Sequence, residues 1–158
     1  MKKLFSVLAV LVTLGTANVF ASTGVGLQAG GVISNGGFGG VGAVTFKVNT
    51  LPCVFAVTVP SFNPFAIGLT ADWWIANPKI QQNWGWFYGV CVAATFYTGD
   101  ASYFGLGFRA VVGTNVFLLN KFLELYLEAA WQPMFFISNG FNASLLNFPI
   151  NAGFRFWF

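Results

Sequence analysis

The sequence predicts an all-β fold, an eight-stranded antiparallel up-and-down transmembrane β-barrel preceded by a cleavable signal peptide. Three observations carry this. The chain is 56% hydrophobic and 19% aromatic with 7% charged residues, against about 25% charged in soluble domains, so lipid suits its surface better than water. Its apolar residues alternate with small or polar ones over stretches of about ten residues, the period and length of a membrane-crossing strand. Every charge inside those stretches falls on the side opposite the large apolar residues.

Residues 1–21 are expected to be the signal peptide and 22–158 the barrel domain. "MKK" is a basic start, "LFSVLAVLVTLG" an apolar core, and Val19 and Ala21 occupy the small-residue positions before a cleavage site. The apolar run is short for a spanning helix. Loss of Lys2 and Lys3 leaves five basic residues against four acidic ones, so the chain's basicity gives no reason to expect a nucleic-acid partner.

Strands are expected near 23–33, 41–49, 53–60, 65–76, 84–97, 103–113, 122–134 and 146–158. The fourth is read by twos: Phe65, Ile67, Leu69, Ala71, Trp73 and Ile75 against Ala66, Gly68, Thr70, Asp72 and Trp74. The fifth repeats the pattern from Trp84 to Phe96, and the sixth sets Phe104, Leu106 and Phe108 against Gly105, Gly107 and Arg109. Glycine at every second position would weaken a helix badly. The connections are turn-rich: "SNGGFGG", "NTLP", "SFNP", "NPKIQQN", "TGDAS", "GTNVFLLNK" and "ISNGFNAS". Eight strands give the even number that bacterial barrels require.

The charges fix the phase of each strand. Lys47, Asp72, Arg109, Glu124, Glu128 and Arg155 all oppose their large apolar neighbours and are expected to form a lumen charge network of three cations and three anions. On the lipid face, an Arg or Lys at mid-membrane costs about 2–4 kcal/mol. Arg109 is expected to pair with Glu124 or Glu128, because the sixth and seventh strands are neighbours.

Other patterns yield less. Gly37 to Gly42 spells G-x-G-x-x-G, but a strand follows where a dinucleotide site needs a helix, so a surface loop is expected there. The absence of histidine removes His-based triads and most metal sites. Cys53 and Cys91 fall on opposite faces of non-neighbouring strands and are expected to stay free. Glu124 and Glu128, four apart on a strand, lie roughly 13 Å apart, too far for concerted acid/base work on one bond. No catalytic, cofactor or metal site is therefore expected.

The last strand, "NFPINAGFRFWF", ends in Phe154, Phe156 and Phe158 around Arg155. With the signal peptide and the alternating strands, it resembles the small eight-stranded bacterial outer-membrane proteins of the OmpA-barrel and OmpX-like class. The short loops and Phe-rich strands also resemble small spirochaetal barrels of unknown function. The resemblance implies a Gram-negative outer-membrane location and lipid as a partner. It also implies a barrel-assembly machinery that reads Phe154, Phe156 and Phe158. An eight-stranded barrel is just wide enough inside for side chains. The expected role is thus non-enzymatic, structural or surface-interacting, with a filled lumen; the alternative is a narrow pore for ions or very small solutes.

Overall fold

The computed structural model describes residues 22–62, 65–98, 102–137 and 140–158. The expected signal peptide, 1–21, lies outside the described residues, as does Asp100. Ten strand segments run in chain order: β1 (Thr23–Ser34), β2 (Gly37–Val48), β3 (Cys53–Phe62), β4 (Phe65–Ala76), β5 (Trp84–Thr98), β6 (Tyr103–Leu118), β7 (Leu123–Trp131), β8 (Met134–Ile137), β9 (Phe141–Ser144) and β10 (Asn147–Trp157). All pairings are antiparallel between neighbours, and β10 pairs with β1 from Gly24↔Trp157 to Ser34↔Asn147, which closes the sheet.

The ten segments make eight barrel strands. β7 and β8 lie on β6 in one register, Ala110↔Trp131 and Gly107↔Met134, so they are one strand interrupted at Gln132–Pro133. Proline has no N–H for the ladder. Opposite this break, Leu145 and Leu146 separate β9 from β10, and Trp131 Nε1 donates to the Leu145 carbonyl at 2.8 Å. The expected outer loop near 135–145 is therefore mostly a β-hairpin. Its alternation is weak in the sequence because the proline and the two leucines break it.

Two other expectations are corrected. "GFGGVG" is the first half of β2, with Ala29↔Gly42 and Gly31↔Gly40 in register. The connection between β1 and β2 is reduced to Asn35 and Gly36, and Gly37 takes φ +110°, a conformation open to glycine. The sixth strand also runs five residues further than expected, to Leu118.

A strand of 12 residues, at about 3.3 Å per residue and a tilt near 40°, rises roughly 30 Å, the thickness of a bilayer's hydrocarbon core. The outer wall carries exposed apolar side chains from every long strand, among them Leu27, Val57, Leu69, Val92, Phe108 and Leu127. Among the described residues no helix is long and apolar enough to cross a membrane. The core sits inside the barrel, where Val54, Trp74, Phe87, Val111, Tyr126 and Ala130 cluster. Its rings fit because glycines face them: a Cβ on Gly113 would collide with Phe87, and one on Gly153 with Tyr126.

Candidate functional site: the charged lumen

Period-two geometry sends every second side chain of each strand inward. β2 thereby contributes Lys47, β4 Asp72, β6 Arg109, β7 Glu124 and Glu128, and β10 Arg155; all six are buried. They form two groups.

In the first group Arg109 lies between two carboxylates. Its Nε donates to Asp72 Oδ1 at 3.1 Å and its Nη2 to Glu128 Oε1. Its Nη1 donates to Gln132 Oε1 at 3.3 Å, and Asn151 Nδ2 donates to Glu128 Oε1 at 3.0 Å. One cation faces two anions, so the group carries a net negative charge.

The second group is built on Glu124. Arg155 Nη1 donates to Glu124 Oε2 at 3.1 Å, and so does Trp157 Nε1 at 3.0 Å. Asn115 Nδ2 donates to Glu124 Oε1 at 2.8 Å. The Arg155 guanidinium also lies 3.9 Å from the Tyr126 ring centre, and Lys47 Nζ 3.3 Å from that of Trp74. This group holds two cations, Arg155 and Lys47, and one carboxylate, so it is net positive. Lys47 satisfies its charge on an aromatic face; no carboxylate among the described residues bridges it.

The expected pairing of Arg109 thus meets a more specific arrangement: Glu128 and Asp72 go to Arg109, and Glu124 goes to Arg155. Tyr126 stands between the groups, its hydroxyl donating to Gln28 Oε1 at 3.0 Å and lying 3.3 Å from Thr45 Oγ1. Trp74 and Phe87 stack 3.9 Å apart and nearly parallel beside them.

A similar fold is known from a solved structure. The structure is similar to the crystal structure of Neisserial surface protein A (NspA), with a TM-score of 0.57 and 14% sequence identity over 87% of this chain and 97% of that one. No protein-family model matches the sequence, and no curated protein matches it. The shared feature is the closed eight-stranded antiparallel barrel.

Among the described residues the lumen holds a cavity at each end. The mouth holding the barrel's two chain ends contains a cavity of about 500 Å³, and the opposite mouth one of about 270 Å³. The two share no lining residue. Arg155, Phe87, Glu124 and Thr45 line neither cavity and are all under 2% exposed. Tyr97, Tyr103 and Phe136 pack ring against ring near the second mouth. Cys53 and Cys91 are both free. Among the described residues, no group of three His, Cys, Asp or Glu side chains is placed to hold a metal ion.

Phe154, Phe156 and Phe158 share the outward phase of the closing strand, and Phe122 packs against Phe156 and Phe158. Sequence reasoning missed the amides that complete the lumen network, Asn115, Gln132 and Asn151. They occupy the inward phase of their strands, a signal that was available once the charges had set that phase.

Proposed function

We propose that the chain is an integral outer-membrane β-barrel protein with a side-chain-filled lumen and a structural or surface-interaction role. The barrel fold and its uninterrupted apolar wall support the membrane assignment, and the likeness to a protein titled a surface protein agrees with it. The observation that carries the filled-lumen reading is the pair Arg155 and Glu124, both 0% exposed and lining neither mouth. Glu124 receives Arg155, Asn115 and Trp157, and the Arg155 guanidinium lies against the Tyr126 ring, so side chains fill the lumen at that level.

The same pairing argues against catalysis. Glu124 takes donors on both of its oxygens, and Glu128 takes Arg109 and Asn151 on Oε1. Export by a signal peptide over 1–21, recognition of Phe154, Phe156 and Phe158 by the barrel-assembly machinery, and lipid as the wall's partner belong to this reading.

Planar-bilayer recording on the purified, folded protein tests it. The expected result is no unitary conductance in 1 M salt. Stepwise openings that depend on folded protein would replace the filled barrel by the narrow-pore reading. Heat-modifiable gel migration, in which folded and boiled samples run differently, provides the fold control.

A further inference from the structure

The hydrogen-bonded wall has a break near the mouth away from the chain ends. β2 and β3 pair from Lys47↔Val54 to Gly42↔Val59, and the next step would set Val41 opposite Pro60. Proline has no N–H to give, and the ladder stops there. β2 nevertheless runs on through residues 37–41, paired with β1 alone. The cavity at that mouth is lined from both sides of the break, by Gly39, Gly40 and Val41 of β2 and by Thr58 and Pro60 of β3.

The alternation of an antiparallel ladder defines which backbone groups are left over. Thr23 and Phe158 exchange both of their backbone bonds, so odd-numbered residues of β1 bond to β10 and even-numbered ones to β2. Gly30 and Val32 therefore bond to their partners in β2, Val41 and Gly39. Phe38 and Gly40 turn their N–H and C=O groups the other way, towards the break, where β3 supplies no ladder partner among the described residues. The Phe38 ring lies over Gly31 of β1 and leaves this edge clear. A Cβ on Gly39, Gly40 or Gly42 would meet nothing within 4 Å. Packing inside the chain thus gives no reason for the glycines of "GFGGVG". Glycine within a strand suits the close approach of another backbone.

The spacing of these groups selects the occupant. Phe38 and Gly40 present a donor and an acceptor each, two residues or about 6.6 Å apart, the repeat along one edge of a strand. An acyl chain would fill the break but leave these groups unpaired, which is costly at membrane depth. Water at the rim would solvate them but keep the edge open, and an open sheet edge is a template for a further strand. A second copy does not fit. In the same membrane its β2 runs the same way, and a two-fold axis along the membrane normal sets identical residues opposite each other. In a parallel ladder a bonding residue lies opposite a non-bonding one. An extended segment of a different polypeptide matches both the spacing and the alternation of donors and acceptors. One face of it would meet lipid beside the exposed Phe38, and the other the cavity beside Thr58.

We propose that residues 37–41 of β2 accept an added β-strand from a partner protein, an extended uncharged segment in which apolar and hydroxyl side chains alternate. Its backbone pairs with the N–H and C=O groups of Phe38 and Gly40, in the place that Pro60 denies to β3. This gives the surface-interaction role a location and a partner chemistry, and it rests on that reading. Its failure would leave the filled lumen, which conductance tests, untouched.

The test uses the folded protein in micelles and a labelled, end-capped peptide of alternating threonine and valine, seven residues long. Amide hydrogen exchange by NMR examines the edge itself. Without peptide, the Gly40 amide should exchange at least tenfold faster than that of Val41, which bonds to β1. The peptide should bind saturably by fluorescence anisotropy and slow Gly40 exchange at least tenfold. The same peptide N-methylated at alternate residues, unable to donate along one edge, should bind at least tenfold more weakly. Gly40→Pro removes the N–H that faces the break and leaves the bonds to β1 in place, a position where an edge strand tolerates proline; it should weaken binding at least tenfold. Pro60→Ala restores a donor to β3, should let the β2–β3 ladder run on, and should also weaken binding, which covers the case in which Gly40→Pro fails to fold. Equal protection of Gly40 and Val41 in the free protein would overturn the proposal, as would absence of saturable binding. Equal affinity for the N-methylated peptide, or displacement of the peptide by decanoate, would overturn it in favour of an acyl chain in the break. Wild-type affinity in a heat-modifiable Gly40→Pro or Pro60→Ala protein would overturn it too.

Discussion

Replacing Arg109 by methionine should harm the barrel more than the same change at Arg155, although Arg155 is the more deeply buried. The reason is local charge. Arg109 is the cation for two carboxylates, Asp72 and Glu128. Methionine keeps much of the aliphatic stem but leaves both acids buried without a counter-charge. Breaking a buried ion pair costs about 3–5 kcal/mol, and with two acids stranded the upper end is expected. Glu124, by contrast, keeps the Asn115 and Trp157 donors when Arg155 is removed. Lys47 also remains in that group, so its net charge falls to zero. The lower end, about 3 kcal/mol, is expected there. Replacing the first group whole, by Asp72→Asn, Arg109→Met and Glu128→Gln together, should recover most of the loss, since neutralised buried triads are often tolerated. Urea unfolding in micelles, followed by tryptophan fluorescence and by the folded gel band, gives the ranking. Stability of Arg109→Met within about 0.5 kcal/mol of wild type, the scatter of ordinary surface changes, would refute the reasoning. A larger loss from Arg155→Met than from Arg109→Met would refute it equally.

Three further outcomes follow from particular contacts. Val92 is 68% exposed in the middle of β5, so Val92→Lys should lower stability in lipid vesicles by about 2–4 kcal/mol, read as the shift in the folded fraction against urea. Gly113→Val should push Phe87 and the Leu127 carbonyl out of place; overpacking of this kind costs about 1–3 kcal/mol or more and should weaken the heat-modifiable band. Leu119, Asn120 and Lys121 hold φ of 50°, 55° and 71° in succession, a left-handed turn unfavourable for side-chain-bearing residues. Leu119→Gly should be neutral or stabilise by up to about 1 kcal/mol, whereas Leu119→Val should destabilise, as the urea midpoints will report.

Period two located the strands wherever a large outward residue alternated with a small inward one, as in β4 and β5. It failed in "GFGGVG" because glycine carries no side chain to mark a face, and only Phe38 of that segment has a large one. It failed again at Gln132–Pro133, where the proline interrupts hydrogen bonding but leaves the register on β6 intact. The partition of the charges into two groups depends on which strands meet across the lumen, and spacing along the chain does not encode that. Arg109 reaches Asp72 from a strand two places away. The mouth at the chain ends was invisible for the same reason: its residues come from strands and turns between Ser22 and Phe158, and only closure brings them together.

Closure itself has a kinetic consequence. The seam is completed by reciprocal backbone bonds between Thr23 and Phe158, each 3.0 Å long, and it joins the first strand in chain order to the last. A nascent chain therefore carries β1 with one edge unsatisfied until β10 has been made. No subset of the strands can close a shorter ring without abandoning the observed register. Contacts of such long sequence separation form slowly because the intervening loop entropy must be lost first. The barrel should therefore fold after synthesis rather than during it, with a late step that brings the two ends together. Until then the exposed edge is a site where another chain can pair, so the speed of that last meeting sets how much protein is lost to aggregation.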